Sequence, residues 1–358
     1  MQPSPARDVN VASTEPLISP VGLVEELPLT PDVEANVLEG RRQIQAVLRG
    51  DDPRFMVIIG PCSVHDENAA LEYAGRLKVL QDELSDRILF VMRVYFEKPR
   101  TTVGWKGLIY DPDLNDTFDI SGGLRRARRL LLKINEMGLY TATEFLDPIV
   151  PQYLAGLVSW AAIGARTTES QTHRQMASGL SMPVGFKNGT DGDAQIAVDA
   201  MVSAQSEHAF LGIDHFGQTC IVNTNGNEYG HLVMRGGRNG TNYDAESIAA
   251  AQELLNKAGV PSQVMVDCSH GNSNKDHRKQ NVALYSIIEQ RVAGNMDIIG
   301  CMLESHLNPG NQSLNGRLLD ELEYGVSITD ACIGWEETDV LLRNAHAKLA
   351  DTVQQPVA

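Results

Sequence analysis

Short apolar runs recur along the chain from residue 55 onward, and segments with helical periodicity separate them. The runs predict eight strands, at Phe55–Ile59, Ile88–Val94, a third ending at Glu144, Trp160–Ala165, Met182–Phe186, Ala209–Ile213, Gln263–Cys268 and Met296–Leu303. Eight strand–helix alternations over about 300 residues are typical of a closed (β/α)8, or TIM, barrel. A doubly wound sheet is the competing α/β fold, but no GxGxxG fingerprint follows the first strand.

The chain begins with a segment that has little hydrophobic periodicity. Residues 1–30 are rich in proline and polar residues and predict an extended arm. A helix is expected to start at Thr30-Pro31 and to run to Gly50, because threonine is a good N-cap and proline suits the first turn. We therefore expect an N-terminal extension over residues 1–50 and a barrel over residues 51–358.

A further pair of apolar runs indicates an insertion in the barrel. Cys220–Val222 and Leu232–Met234 lie on either side of a polar stretch rich in asparagine. This pattern predicts an inserted hairpin at about residues 216–236, after the sixth strand at Ala209–Ile213.

Charge and cysteine content narrow the class of protein. The chain carries 30 Lys and Arg residues against 46 Asp and Glu residues, for a formal net charge of −16. Nucleic acids and anionic membranes favour basic surfaces, so neither is an expected partner. No apolar run approaches the length of a membrane span, and residues 1–8 lack the apolar core of a signal peptide. Five cysteines without a CxxC pair suit a reducing compartment, so we expect a cytoplasmic protein.

Cations stand directly after several of the predicted strands, against the acidic background of the chain. They are Arg93, Lys98, Arg100, Arg166, Lys187 and Arg235. In a barrel, the carboxyl ends of the strands meet at one face, where the active sites of this architecture lie. Arginine and lysine bind phosphate and carboxylate groups, so six of them together predict a site for more than one anionic group. Salt bridging at the barrel rim is the alternative for any single member.

A second group of strand-end residues has metal-binding chemistry. Cys62, His270, Glu304 and Asp330 offer a thiol, an imidazole and two carboxylates. This mixed set suits a divalent transition metal such as Mn, Fe, Co or Zn. Taken singly each is a weak signal, because a buried cysteine is usually a small hydrophobic residue.

Seven motifs resemble one enzyme family, class I 3-deoxy-D-arabino-heptulosonate 7-phosphate (DAHP) synthase, over roughly residues 30–350. They are Gly60-Pro61-Cys62-Ser63, Lys98-Pro99-Arg100-Thr101-Thr102-Val103-Gly104-Trp105-Lys106-Gly107, Gly164-Ala165-Arg166-Thr167-Thr168-Glu169-Ser170-Gln171, Pro183-Val184-Gly185-Phe186-Lys187-Asn188-Gly189-Thr190-Asp191-Gly192, Arg235-Gly236-Gly237, Asp267-Cys268-Ser269-His270-Gly271-Asn272 and Ser327-Ile328-Thr329-Asp330. The resemblance implies a metal-dependent barrel that condenses phosphoenolpyruvate with erythrose 4-phosphate and opens the shikimate pathway.

The resemblance also assigns roles to residues. It implies the metal ligands Cys62, His270, Glu304 and Asp330. It implies that phosphoenolpyruvate is surrounded by Arg93, Lys98, Gly164, Ala165, Arg166, Lys187 and Arg235. Arg100 and Thr101 would hold the phosphate of the sugar, and Lys98, Glu144 and His270 are the candidates for proton transfer. Two alternatives stay open: a related synthase that takes arabinose 5-phosphate, and a catalytically silent barrel that only binds an effector.

Members of this family are expected to form homo-oligomers and to bind an aromatic amino acid. The resemblance implies a tetramer in which the N-terminal arm contacts a neighbouring subunit. It places the effector at Pro151, Gln152, Leu180, Ser181, Phe210, Gly212 and Val222. Glycine at position 212 leaves room for a ring hydroxyl, which favours tyrosine. Phenylalanine, tryptophan and an unregulated enzyme stay open as alternatives.

Overall fold

Eight parallel strands close into a barrel in the computed structural model, which describes residues 6–351. The barrel strands are β1 (Phe55–Gly60), β2 (Ile88–Arg93), β3 (Tyr140–Glu144), β4 (Trp160–Ile163), β5 (Val184–Lys187), β8 (Gly230–Met234), β9 (Val264–Asp267) and β10 (Ile298–Glu304). The barrel closes because β1 pairs with both β2 and β10: Met56 stands beside Leu89 on one side and Gly300 on the other. The predicted (β/α)8 barrel is confirmed.

Helices cover the outside of the barrel or extend from it. Their bounds are α1 (Pro20–Glu26), α2 (Pro31–Arg49), α3 (Glu67–Leu84), α4 (Ile120–Glu136), α5 (Pro151–Leu154), α6 (Gln171–Ser178), α7 (Gln195–Ala204), α8 (Ala245–Ala258), α9 (Gln280–Val292) and α10 (Trp335–Leu349). Short 3₁₀ turns stand at Ala155–Leu157, His277–Lys279 and Leu319–Glu321. Among residues 6–351, no helix is both long and apolar enough to cross a membrane.

The predicted hairpin exists, but its position differs from the expectation. It consists of β6 (His208–Ile213) and β7 (Thr219–Thr224), which pair antiparallel outside the barrel. The run predicted as the sixth barrel strand is therefore the first strand of the hairpin, and the sixth barrel strand is β8. Burial explains the difference, because every residue of β8 is buried whereas Leu211 of β6 is 88% exposed.

The N-terminal extension is more ordered than an extended arm. Within it, Ser19 caps the short helix α1 by accepting a hydrogen bond from the backbone N–H of Gly22. The helix α2 starts and ends close to the predicted positions, with Thr30 as its N-cap and Gly50 in a left-handed conformation after its last turn. The boundary between extension and barrel at residue 50 stays a prediction.

Helix α2 closes the amino-terminal end of the barrel. Its apolar residues Ile44, Val47 and Leu48 pack in one cluster with Met56 and Trp160 from the barrel interior. The opposite, carboxyl end of the barrel is left to the loops that follow the strands. The fold therefore leaves one end of the barrel for chemistry.

Candidate functional site

A cavity of about 370 Å³ opens at the carboxyl end of the barrel. It lies where the loops after the strands converge, as expected for this architecture. The predicted site residues that line it are Arg93, Lys98, Arg100, Glu144, Gly164, Ala165, Arg166, Lys187, Arg235, His270 and Asp330. Residues from six of the eight strand ends and from the loop beyond β10 thus meet around one space.

All six predicted cations line this cavity. Arg93 ends β2 and Lys187 ends β5, and both are at least 95% buried. Arg235 follows β8 directly, so the correction to the sixth strand places it at a barrel strand end like the others. Thr101 reaches the same region, since the guanidinium of Arg166 lies 3.4 Å from its hydroxyl oxygen. A concentration of cations at one cavity suits a ligand with several anionic groups.

Three of the four predicted metal ligands form a compact cluster. One ligand atom each from Cys62, Glu304 and Asp330 lies within 4.8 Å of the other two. Cys62 follows β1, Glu304 ends β10, and Asp330 stands in the loop after β10. A thiol and two carboxylates at this spacing fit the donor set of a divalent transition metal.

The fourth predicted ligand, His270, lies beside this cluster. Its Nε2 is 3.8 Å from Oε1 of Glu304, and its Nδ1 is 3.0 Å from Oδ2 of Asp267. Asp267 also accepts a hydrogen bond of 2.7 Å from Nζ of Lys187. The contact with Asp267 is close but lacks hydrogen-bond geometry, so Nδ1 of His270 has no hydrogen-bond partner among the described residues. His270 has a left-handed backbone with φ of 54°, a conformation that persists where the surroundings impose it.

Neighbouring charges control the ionisation of the cluster. Burial raises the pKa of Glu304, but His270, Arg93 and Lys98 outweigh burial and lower it to about 2. Burial and the carboxylate of Glu304 raise the pKa of the Cys62 thiol, while Lys98 acts in the opposite direction. A bound divalent cation would favour the thiolate, because coordinating thiols lose their proton.

Lys98 links the cluster to the loop after β2. Its ammonium donates to Sγ of Cys62 at 3.1 Å and to the carbonyl oxygen of Cys62 at 3.2 Å. Arg93 donates to the same carbonyl and, at 3.0 Å, to Oε1 of Glu304. Both cations are thus oriented by Cys62 and Glu304.

Glu144 lies at the end of β3, which only β2 separates from β1 in the barrel. It is 6% exposed, and its Oε1 has no hydrogen-bond partner among the described residues. A Cβ atom at Gly164 would lie 2.1 Å from that oxygen, so any side chain at this position would force the carboxylate of Glu144 to move. An unpaired carboxylate oxygen beside a cavity is available to a ligand.

Sequence reasoning assigned no role to several residues of the site. Asp267 lies 3.0 Å from Nδ1 of His270, and Ser269 donates a hydrogen bond of 2.8 Å to Oε2 of Glu304. Both lie in a strand-end motif, so the same rule that selected the cations could have found them. Lys275, His277 and Asn311 also line the cavity, but they stand in loops without periodicity and gave no comparable signal.

The predicted effector residues lie on a different side of the barrel. Phe210 pairs with Val222 across the hairpin, and Gly212 stands two residues further along β6. Pro151 and Gln152 begin α5, and Leu180 and Ser181 follow α6. Helix α1 lies between the first two groups: the hydroxyl of Tyr153 on α5 donates to the carbonyl of Ile18, and the N–H of Val21 donates to the carbonyl of His215 at the hairpin turn.

Known proteins share this chain's sequence and fold over nearly its whole length. The model of the DAHP synthetase I family matches residues 32–343. The Phe-sensitive phospho-2-dehydro-3-deoxyheptonate aldolase of Escherichia coli (strain K12) is 54% identical over 336 residues, which cover 94% of this chain and 95% of that protein. The Tyr-sensitive enzyme of the same strain is 51% identical over 358 residues, all of both chains.

A third relative and a solved structure agree. The Trp-sensitive enzyme of Escherichia coli (strain K12) is 51% identical, with 97% of each chain covered. The structure of phospho-2-dehydro-3-deoxyheptonate aldolase from Francisella tularensis SCHU S4 matches with a TM-score of 0.93 and 47% identity, over 96% of this chain and 99% of that one. This chain therefore belongs to the DAHP synthetase I family and is accordingly an enzyme of the transferase class.

Proposed function

We propose that this enzyme condenses phosphoenolpyruvate with D-erythrose 4-phosphate and water to give DAHP and phosphate. One observation carries the proposal: six cations line a single cavity, and a Cys/Glu/Asp cluster reaches that cavity through Asp330. Two phosphates and a carboxylate repel one another, so the two substrates can approach only where cations offset that repulsion. The proposed reaction is the first step of aromatic amino acid biosynthesis.

The cations divide between the two substrates by position. Arg93, Lys98, Arg166, Lys187 and Arg235 hold the phosphate and carboxylate of phosphoenolpyruvate, with backbone contacts from Gly164 and Ala165. Arg100 and Thr101, on the more exposed loop after β2, hold the phosphate of the sugar. This division supports an ordered approach of the sugar from the solvent side.

The Cys/Glu/Asp cluster fits one divalent metal ion. Cys62, His270, Glu304 and Asp330 would hold Mn, Fe, Co or Zn. When bound, such an ion supplies a Lewis acid for the aldehyde oxygen of the sugar, which becomes negative as the carbon–carbon bond forms. Arg93 keeps Glu304 ionised, and the carboxylate of Asp267 lies beside Nδ1 of His270.

Three groups are placed to move a proton. The ammonium of Lys98 and the ring of His270 lie beside the cluster, and the unpaired oxygen of Glu144 lies beside the cavity. We assign proton transfer to these three as a set, because the structure gives each of them access to the cavity.

A substrate assay tests the proposal. Purified enzyme is offered phosphoenolpyruvate with either erythrose 4-phosphate or arabinose 5-phosphate, before and after chelation. We expect turnover with erythrose 4-phosphate, loss of turnover on chelation, and recovery with Mn, Fe or Co. Turnover with arabinose 5-phosphate alone, or full activity in demonstrably metal-free protein, would contradict it.

We further propose feedback inhibition by tyrosine at the hairpin. Relatives of 51–54% identity are named after sensitivity to phenylalanine, tyrosine or tryptophan, so their names do not select one effector. Support for tyrosine comes from Gly212, where the missing side chain leaves space for a ring hydroxyl. A Cβ atom at this position would lie 2.7 Å from Cγ2 of Val222, so a larger residue would displace Val222, another predicted effector residue.

Inhibition by each aromatic amino acid tests the effector. Tyrosine should inhibit the parent enzyme best, and Gly212→Ser should weaken inhibition by tyrosine more than inhibition by phenylalanine. Ala209→Ser is the matched control, because it adds the same hydroxyl to an exposed position of β6 whose side chain points to the opposite face. Stronger inhibition of the parent enzyme by phenylalanine would refute the choice of tyrosine.

We also propose that the enzyme is a homotetramer in the cytoplasm. Its N-terminal arm and its exposed hairpin are the segments placed to contact neighbouring subunits. Light scattering at micromolar concentration tests the assembly, and a monomeric mass would contradict it.

A further inference from the structure

The loop after β2 is closed at its base by backbone contacts. The N–H of Lys98 donates to the carbonyl of Lys106 at 2.8 Å. Gly107 has a left-handed φ of 116°, and a Cβ atom there would lie 2.0 Å from the carbonyl oxygen of Phe96. The two ends of the loop thus run against each other, and the residues between them project toward the cavity.

A buried carboxylate holds this base against the neighbouring strand end. Glu97 is 1% exposed, and its Oε1 accepts hydrogen bonds from the hydroxyl of Tyr110 and from the N–H of Asp147, both at 3.1 Å. Its Oε2 accepts a third hydrogen bond of 3.2 Å from the N–H of Leu146. Leu146 and Asp147 follow β3 shortly after Glu144. One side chain therefore joins the start of the loop, its far end at Tyr110, and the segment beyond β3.

Two of these hydrogen bonds give the backbone N–H groups of Leu146 and Asp147 their acceptor. Burial raises the pKa of the Glu97 carboxyl to about 8, although the N–H groups of Leu146 and Asp147 lower it. In either protonation state, both N–H donors need an oxygen of Glu97. A buried donor left without an acceptor destabilises the arrangement that buries it.

The two substrate-binding parts of the loop depend on this base to different extents. Lys98 has its own contacts, with two hydrogen bonds to Cys62. Arg100 donates to the carbonyl of Trp105, which belongs to the same loop. Within residues 6–351, the side chain of Thr101 has only the 3.4 Å hydrogen bond from Arg166. If the base of the loop shifts, Arg100 and Thr101 move with it, whereas Lys98 stays bound to Cys62.

We propose that Glu97 is a positioning residue that sets the place of Arg100 and Thr101, and thereby the affinity for the sugar phosphate. It does not touch a substrate itself. The inference rests on the proposed function, because it assigns the two loop residues to the phosphate of the sugar. Glu97 itself lies outside the seven family motifs and does not line the cavity.

The substitution Glu97→Gln tests this role. Either carboxylate oxygen that becomes an amide NH₂ then faces a backbone N–H donor, since Asp147 binds one oxygen and Leu146 the other. We expect the KM for erythrose 4-phosphate to rise about tenfold and the KM for phosphoenolpyruvate to change by less than about twofold. Tyr110→Phe removes one donor instead and should raise the same KM by about twofold to threefold.

Asp297→Asn is the matched control. Asp297 is a half-buried carboxylate that accepts a hydrogen bond from Ser262 at 2.6 Å, before β10 and away from the cavity. Both KM values of this variant should equal those of the parent enzyme.

Three outcomes separate the possibilities. A selective rise in the KM for the sugar phosphate supports the inference. Equal changes in both KM values, or a fall in kcat with both KM values unchanged, overturn it. If Glu97→Gln fails to fold, the same comparison of the two KM values in Tyr110→Phe decides between these outcomes. A parent enzyme that does not turn over the two substrates would instead overturn the proposed function.

Discussion

The two ends of the barrel are both buried, but they are built from opposite kinds of residue. At the carboxyl end, Arg93 and Glu304 form an ion pair of 3.0 Å in which each side chain is 1% exposed. At the amino-terminal end, Trp160 and Met56 pack against α2, and the buried His231 accepts a hydrogen bond from Nε1 of Trp160 at 3.3 Å. Burial lowers the pKa of His231 to about 3, so it stays neutral.

This difference in residue type indicates that the carboxyl end is the one that binds a ligand. Removing a charge from water costs several kcal/mol, and a buried ion pair often stabilises a protein no better than apolar residues would. The carboxyl end accepts this cost at several positions and leaves atoms such as Oε1 of Glu144 without a partner. At the carboxyl end a ligand can complete such groups, because Glu144 lines the cavity. The amino-terminal end also leaves Nδ1 of His231 without a partner among the described residues, but the cluster that α2 forms there is apolar.

The largest effect is expected where a charge is removed from the carboxyl end. Glu304→Gln leaves Arg93 without its counter-ion and takes one ionised donor from the Cys/Glu/Asp cluster. Metal content and turnover should fall together, turnover by about a thousandfold, because a Lewis acid contributes several kcal/mol to such a reaction. Metal analysis and a steady-state assay measure the two quantities.

The control for this change is a carboxylate outside the cavity. Glu253→Gln removes an exposed partner of Lys257 on α8 and should leave both quantities unaltered. If Glu304→Gln kept its metal and its turnover, the buried charges at the carboxyl end would not be needed for metal binding or catalysis.

A smaller loss should follow from adding one methyl group at the carboxyl end. Gly164→Ala would place a Cβ atom 2.1 Å from Oε1 of Glu144 and so displace that carboxylate. A displacement of about 1 Å at a reacting group costs on the order of a hundredfold in rate, and we expect kcat/KM to fall accordingly.

Gly156→Ala is the matched change, because nothing lies within 4 Å of its added methyl group. It should behave like the parent enzyme in the assay, and both variants should unfold at similar temperatures. Equal activity of the two variants would show that Glu144 does not need its observed position.

The smallest effect concerns stability at the amino-terminal end. The pKa of His231 is lower in the folded state than the ordinary histidine value of about 6.5, so the unfolded chain binds the extra proton first. Stability is therefore full above about pH 6.5 and falls as the pH drops toward about 3, by up to about 1.4 kcal/mol per pH unit.

Thermal unfolding at about pH 7.5 and about pH 5 measures this fall in stability on acidification. The unfolding temperature should drop less on acidification in His231→Gln than in the parent enzyme. His215→Gln removes an exposed histidine at the hairpin turn, and its unfolding temperature should drop as much as that of the parent enzyme. An unchanged loss in His231→Gln would mean that other groups set the acid stability.

Much of the fold could be predicted because its signals are local. The apolar runs locate seven of the eight barrel strands to within a few residues, and threonine and proline mark the start of α2. The short helix α1 was missed, although Ser19-Pro20 is the same type of start signal. The hairpin was misplaced because β6 and β8 are apolar runs of similar length, and only burial tells them apart.

The candidate site could be predicted to a similar extent. The cations and the cluster residues follow strands, and the closed barrel brings them to one cavity. Asp267 and Glu97 gained their importance only from contacts. Each is one acidic residue among 46 in the sequence, and no local pattern shows that its carboxylate is buried against donors.

The sequence by itself determined the alternation of strands and helices and the residue types at the strand ends, because both depend on neighbours along the chain. The tertiary structure decided which apolar run enters the barrel and which polar groups meet. Cys62 and Asp330 are 268 residues apart in sequence, yet Sγ of Cys62 lies 3.8 Å from Oδ2 of Asp330. Such a contact exists only when the barrel closes, since closure is a property of all eight strands together.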